Sequence, residues 1–308
     1  MEKSKDKKTQ VLVIGRNGQL GSCLHFLSEK PEVSSEFAFS FVDFPELNLT
    51  DENQIVSLFE ENALKPDKKF DVCINAAAYT AVDLAETEKE LAYNINALGP
   101  KYLAEACKKH NVLLVHVSTD YVFDGNSAVP YRETDPTDPV NYYGESKLAG
   151  ENFVLSTWEK SLILRTAWLY SPYGKNFVKT MLYLLENKDQ LSVIEDQKGS
   201  PTSCLDLALA IMQMIPTALD SQKAKYGIYH FSNLGETSWF GFTQKIAEFA
   251  GFSTPILPIT TEQYPTPAKR PKFSLLDKSK IREDYNIRIP SWEESLKLVV
   301  EILMAENQ

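Results

Sequence analysis

The feature that most constrains this chain is its start. Residues 10–14, Gln10-Val11-Leu12-Val13-Ile14, form a short apolar run that reads as a fully buried parallel strand. The run passes straight into Gly15-Arg16-Asn17-Gly18-Gln19-Leu20-Gly21, and 19–28 then reads as a helix. A buried strand, three glycines spaced three apart and a helix leave few folds open. The glycines permit a tight turn, close backbone approach to a pyrophosphate, and close helix–strand packing, with the helix N-terminus facing the anion. A dinucleotide is therefore expected on residues 15–21, ahead of the alternative of a merely structural glycine turn. Asp43, closing a second strand at 37–42, is placed to accept from an adenosine ribose 2′-hydroxyl, which favours NADH. Arg16 could instead meet the 2′-phosphate of NADPH. The two cues conflict, so coenzyme preference stays open.

Further strands read at 70–74, 112–117 and 161–165, and the second of these ends in Ser118-Thr119-Asp120. Asp51 with Gln54 three residues on marks a helix start. Helical sequence fills 83–110 with a break at Gly99-Pro100, and another helix follows Tyr142. Strands alternating with helices predict an α/β fold, a Rossmann-like doubly wound parallel sheet with right-handed crossovers. Beyond Trp168 the rhythm loosens into helices at 177–186 and 240–250 with Pro-rich connections, as expected of a smaller α/β substrate-binding domain. The expected division is 9–168 plus about 191–232 for the dinucleotide domain, and about 169–190 plus 233–308 for a discontinuous second domain, with the active site in the cleft between them.

Tyr143-Gly144-Glu145-Ser146-Lys147 sets a phenol and an ammonium at i and i+4, neighbours on one helix face. Lys147 could then lower the tyrosine pKa by its charge while reaching a ribose hydroxyl. With 14 tyrosines in the chain, one such pair by chance is ordinary. Its place after the fourth strand carries the weight, because Ser118 and Thr119 end that strand on the crevice side of an open sheet. A hydroxyl, a tyrosine and a lysine around a nicotinamide make a carbonyl-reducing site.

The glycine spacing resembles that of short-chain dehydrogenases/reductases, and longer segments narrow the resemblance. Asn75-Ala76-Ala77-Ala78-Tyr79-Thr80-Ala81-Val82-Asp83, Ser118-Thr119-Asp120-Tyr121-Val122-Phe123-Asp124-Gly125, the segment 141–151, Arg165-Thr166-Ala167-Trp168, the segment 197–202 and the Pro-rich segment 264–271 follow one another in family order. Together they resemble the dTDP-4-dehydrorhamnose reductase family of extended short-chain dehydrogenases. The resemblance implies reduction of the C4 keto group of dTDP-4-dehydro-L-rhamnose by NADPH or NADH. It implies Tyr143 as general acid, Lys147 as holder of the nicotinamide ribose and depressor of the tyrosine pKa, and Thr119 as hydrogen-bond partner of the sugar carbonyl. Asp120, Tyr121 and Trp168 would line the sugar pocket, Ala76, Ala77 and Tyr79 would lie along the cofactor, and Lys269 or Arg270 would meet the diphosphate of the dTDP-sugar. Two positions depart from the pattern. Asn48 stands where the family often has an aspartate, and Cys23 stands where some members carry a glutamate that helps bind magnesium between subunits. A metal-bridged dimer is thus disfavoured, no metal is assigned, and a homodimer through other contacts stays open.

Rival readings are an epimerase or 4,6-dehydratase of the same superfamily, and a non-catalytic protein like the β subunit of methionine adenosyltransferase. The dehydratases use an acidic pair after the strand-four threonine, and here Asp120 is followed by Tyr121. The intact Thr119, Tyr143 and Lys147 favour an enzyme over the binding protein. A net charge of −10 argues against a nucleic-acid partner. No apolar run is long enough for a membrane span, and none follows the charged residues 1–8 to act as a signal peptide. Cys23, Cys73, Cys107 and Cys204 are scattered, without metal or disulfide spacing, and read as reduced core thiols of a cytoplasmic protein.

Overall fold

The computed structural model describes residues 8–306, so most of the charged N-terminal segment lies outside the described residues. Its centre is a six-stranded sheet. The strands are β1 (Thr9–Ile14), β2 (Phe37–Val42), β3 (Val72–Asn75), β4 (Leu113–Thr119), β5 (Ser161–Thr166) and a sixth, Gly227–His230. Every pairing is parallel, and the order is the sixth strand, β5, β4, β3, β1, β2. The alternation of a strand explains its two-sided core. Val11 and Val13 face one cluster with the Gln19–Ser28 and Cys204–Leu219 helices, while Leu12 and Ile14 face another with Phe59, Leu103 and Val154. From β1 the chain steps outward to β2 and returns on the other side of β1 as β3. The loops leaving β1 and β3 therefore diverge at a topological switch point, where open parallel sheets bind ligands.

The strands read from sequence are present to within two or three residues, and Asp51 caps the Glu52–Ala63 helix through Asn53 N–H and Gln54 N–H. The break at Gly99-Pro100 is different in kind. Asn94–Leu98 is a π-helical turn that runs directly into the helix Gly99–His110. Gly99 N–H donates to Asn94 O, and Pro100, with no N–H to offer, falls at the first turn of the next helix, where a donor has no intrahelical partner.

A third core gathers Tyr170, Val178, Leu185, Phe242, Trp292 and Val300. It belongs to the helices Phe177–Asn187, Trp239–Ala250 and Trp292–Glu306, with Leu191–Ile194 paired in parallel to Ile256–Ile259. Leu191 and Val193 pack in this third core, whereas Ile281 and Tyr285 of the Ser279–Tyr285 helix return to the sheet. All four cysteines are buried and unpaired. No helix among the described residues is long and apolar enough to cross a membrane.

Candidate active site

The site begins at the switch point. Gly15 has φ +92°, and a Cβ on it would stand 2.7 Å from Ala77 N, so the loops after β1 and β3 touch there only because the side chain is a hydrogen. A Cβ on Gly21 would fall 2.1 Å from Gly15 O, so this glycine lets the helix seat against the loop. Gly18 is the N-cap of Gln19–Ser28 and offers no side chain to its first amides. A cavity of about 400 Å³ opens over this junction. It is lined by Gly15, Asn17, Gly18, Gln19, Leu20, Asp43, Ala76 and Ala77, and also by Val117, Leu169 and Lys175.

Several expected cofactor residues sit otherwise. Asp43 lines the cavity, but its Oδ2 already accepts from Asn17 N–H at 2.7 Å and its Oδ1 from Phe44 N–H at 2.8 Å. Arg16 is exposed and lines a neighbouring cavity with Ser22, His25 and Tyr173, which shares only Asn17 with the first. Tyr79 does not line the cavity. Its hydroxyl donates to Glu88 Oε2 at 2.6 Å, an interaction that pushes the phenol up to about 12, and Ala78 and Thr80 on either side face the cavity instead. Asn48 is used locally, its Oδ1 accepting from Thr50 N–H and Oγ1–H.

A second cavity, of about 620 Å³, is lined by Asp83, Tyr121, Phe177, Gln197, Trp239, Tyr264, Thr266 and Arg270 among others. Between the two cavities lies the carboxyl end of β4. Lys147 is 2% exposed, and its Nζ donates to Val117 O at 2.7 Å, beneath the first cavity. Tyr143 stands one helical turn away, half-buried, edge-on to Tyr121 with ring centroids 5.7 Å apart, and Tyr121 lines the second cavity. The Thr119 hydroxyl is a hydrogen-bonding neighbour of the Tyr143 phenol. It also donates to Asp120 Oδ1 at 3.0 Å. Behind these groups Glu151 takes both Nε and Nη2 of Arg165 in a buried fork, and Ser118 donates to Glu151 Oε1.

The electrostatics correct one expectation. Tyr143 is not acidified by Lys147: burial pushes its phenol up to about 12, opposed only in part by the Thr119 hydrogen bond. Lys147 is itself held down to about 8 by burial, against the pull of Glu151. Its head is turned to a backbone carbonyl rather than to the tyrosine.

On the sugar side, Arg270 lines the second cavity but forks onto Asp83, with Nη1 to Oδ1 at 2.5 Å and Nη2 to Oδ2 at 2.9 Å. The Arg270 guanidinium holds the Asp83 carboxyl below its ordinary range. Lys269 is exposed and lines neither cavity; its backbone carbonyl accepts from Asn141 Nδ2. Trp168, at φ +49°, is stacked on Trp239 with centroids 3.6 Å apart, and Trp239 rather than Trp168 lines the cavity. Gly199 makes room for the Trp168 ring, since a Cβ there would stand 2.6 Å from it. Phe177, Gln197, Trp239 and Thr266 were not singled out from sequence. Gln197 and Thr266 lie in segments that carried the resemblance, whereas Phe177 and Trp239 begin ordinary amphipathic helices and gave no signal. Among the described residues no three His, Cys, Asp or Glu side chains are grouped to hold a metal.

The model of the RmlD substrate binding domain family matches residues 9–305. A dTDP-4-dehydrorhamnose reductase of Aggregatibacter actinomycetemcomitans is 42% identical over 94% of this chain and 97% of its own. Among solved structures, a dTDP-4-dehydrorhamnose reductase of Clostridium acetobutylicum superposes with a TM-score of 0.88 at 38% identity, covering 96% of this chain and 99% of that one. The Bacillus anthracis enzyme, solved in complex with NADP, gives 0.88 at 40% identity with the same coverage.

Proposed function

We infer the reaction from the premise that this chain belongs to the dTDP-4-dehydrorhamnose reductase family. It is an NAD(P)H-dependent oxidoreductase of dTDP-rhamnose biosynthesis, reducing the C4 keto group of dTDP-4-dehydro-L-rhamnose to give dTDP-L-rhamnose. The observation that carries this reading is the gathering of Thr119, Tyr143 and Lys147 at the end of β4, between a glycine-lined cavity and an aromatic one.

The glycine-lined cavity fits a dinucleotide. The cradle at Gly15 would be filled by any side chain, and the amides opening Gln19–Ser28 have no side-chain cap. Residues 15–21 would hold the pyrophosphate, with Ala76 and Ala77 leaving room beside it. When bound, the nicotinamide supplies the hydride to C4. Tyr143 gives its proton to the C4 oxygen, and a phenol held up to about 12 is fully protonated at neutral pH and so is stocked as an acid. Lys147, charged below about pH 8, would exchange its bond to Val117 O for the ribose hydroxyls. A phenolate formed at Tyr143 would then lie beside a cation, which lowers the cost of proton release.

The sugar nucleotide occupies the second cavity in this reading, with its keto carbon at Tyr143 and its diphosphate toward Arg270. The overall charge of −10 repels such a substrate, so a local cation must act at short range. Arg270 is the cation inside the cavity lining, and Lys269 is displaced from the assignment. We keep the two-part division, the sheet for the dinucleotide and the third core for the sugar, with 191–194 counted to the latter and 281–289 to the former. Four buried thiols suit a reducing cytoplasm. Cys23, its thiol pushed up to about 12 by burial, is no ligand for a bridging magnesium, so any homodimer would use other contacts.

The test is coenzyme oxidation by the purified protein on a dTDP-4-keto sugar. Stoichiometric oxidation supports the reading, and dTDP release or epimerisation without net oxidation contradicts it.

A further inference from the structure

A hydroxyl has one hydrogen, and the structure commits that of Thr119. Its Oγ1 donates to Asp120 Oδ1 at 3.0 Å and accepts from Tyr121 N–H at 3.2 Å. The Tyr143 phenol is the hydroxyl's other neighbour. With Asp120 ionised, the Thr119 donor is turned inward, to the carboxylate. It is then not aimed at a carbonyl oxygen. Yet Asp120 is 2% exposed, and its Oδ2 is buried without a hydrogen-bond partner. A buried carboxylate with a bare oxygen is costly, and taking up a proton relieves the cost.

We propose that Asp120 is a positioning residue that acts in its neutral form, donating its carboxyl proton to Thr119 Oγ1 and so turning the hydrogen of Thr119 onto the carbonyl oxygen of the bound 4-keto sugar. The lone-pair count enforces the switch. Once Thr119 Oγ1 accepts from both Tyr121 N–H and Asp120 O–H, both its lone pairs are filled and its own hydrogen is free. The inference rests on the reductase reading above and deepens it.

The surroundings of Asp120 favour the neutral acid at working pH. Burial pushes its carboxyl up to about 7, against the nearby Ser274 and Thr119 hydroxyls, which favour ionisation. The groups facing it are Thr119 on β4, Tyr121 on its own turn, Tyr143 on the Tyr142–Thr157 helix and Ser274. The charged pair Arg270–Asp83 bears on Tyr121, and Lys147 is engaged at Val117 O.

The test follows kcat/KM for coenzyme oxidation between pH 5.5 and 9 in wild type, Asp120→Asn and Thr119→Val. An ionisation near pH 7, together with the smaller fall from Lys147, makes the wild-type value fall about twentyfold from pH 6 to pH 8. Asp120→Asn, whose amide donates to Thr119 at every pH, should vary by about threefold or less over that window, the remainder coming from Lys147. Thr119→Val, which can take neither hydrogen, should be slow at pH 6 and should also lose the fall, which covers the case that Asp120→Asn does not fold. The infrared carboxyl band present in wild type and absent from Asp120→Asn should vanish with a midpoint near pH 7. A fall of about tenfold or more that survives in both variants, or no protonated carboxyl band at pH 6, overturns the inference while leaving the reductase reading in place. No coenzyme oxidation by wild type at any pH overturns that reading and this inference with it.

Discussion

At the scale of single residues the site is governed by burial. Tyr143 and Lys147 are one helical turn apart, and the spacing together with its place after the fourth strand made the pair legible. The direction of their pKa shifts was not, because desolvation depends on what the rest of the chain stacks over them. Lys147 is 2% exposed and held down to about 8 from an ordinary 10.5. Its folded value lies below its unfolded one, so the unfolded chain binds the extra proton between about pH 8 and 10.5. Stability should therefore rise with pH across that window, and the charge should be a net cost below it. Lys147→Met should resist urea better than wild type at pH 7, by up to about 3 kcal/mol, with the gap closing by pH 10.5 while reductase activity is lost. Equal or lower stability of the variant at pH 7 would show that the Val117 and Glu151 interactions outweigh desolvation. Tyr143→Phe keeps the ring edge-on to Tyr121 and removes only the proton. Its kcat should drop by roughly 10²–10⁴ with coenzyme affinity nearly unchanged, as read by single-turnover rates and fluorescence titration.

At the scale of elements, β1, the glycine loop and the helix after it follow from local sequence, since buried strands, glycines and caps act within a few residues. Gly21 shows how tight that unit is, with Gly15 O only 2.1 Å from where a Cβ would sit. Gly21→Ala must push the Gln19–Ser28 helix off the loop, and the rest of the sheet should survive. Coenzyme Kd should rise tenfold or more, a loss of about 1.4 kcal/mol, with far-UV circular dichroism retained. An unchanged Kd would remove residues 15–21 from the cofactor site. Other elements were hidden for definite reasons. The π-turn Asn94–Leu98 differs from an α-helix by one hydrogen-bond step that no periodicity reports. The pairing of Leu191–Ile194 with Ile256–Ile259 joins short strands far apart in sequence, and nothing in either names the other.

The whole molecule decides what the sugar cavity is made of. Asp83 follows β3, Tyr121 follows β4, and Phe177, Gln197, Trp239 and Arg270 come from the later chain, so their convergence is a property of the packed fold. Sequence offered Lys269 and Arg270 as equals in the Pro-rich segment. The fold turns one outward and ties the other to Asp83 across 187 residues. Arg270→Ala should raise the KM for the sugar nucleotide by roughly tenfold or more, the scale of a charge-assisted hydrogen bond, while Lys269→Ala leaves it within about twofold. A reversed ranking in steady-state assays would move the diphosphate to the surface lysine. The central claim is that Thr119, Tyr143 and Lys147 reduce a sugar carbonyl between the two cavities. It is tested most directly by following NADPH or NADH oxidation with dTDP-4-dehydro-L-rhamnose in wild type and Tyr143→Phe side by side, with the product identified by chromatography. The account predicts one coenzyme oxidised per dTDP-L-rhamnose formed, and a rate lowered at least about a hundredfold in the variant. Oxidation at the wild-type rate in Tyr143→Phe, or no oxidation by the wild-type protein, would contradict it.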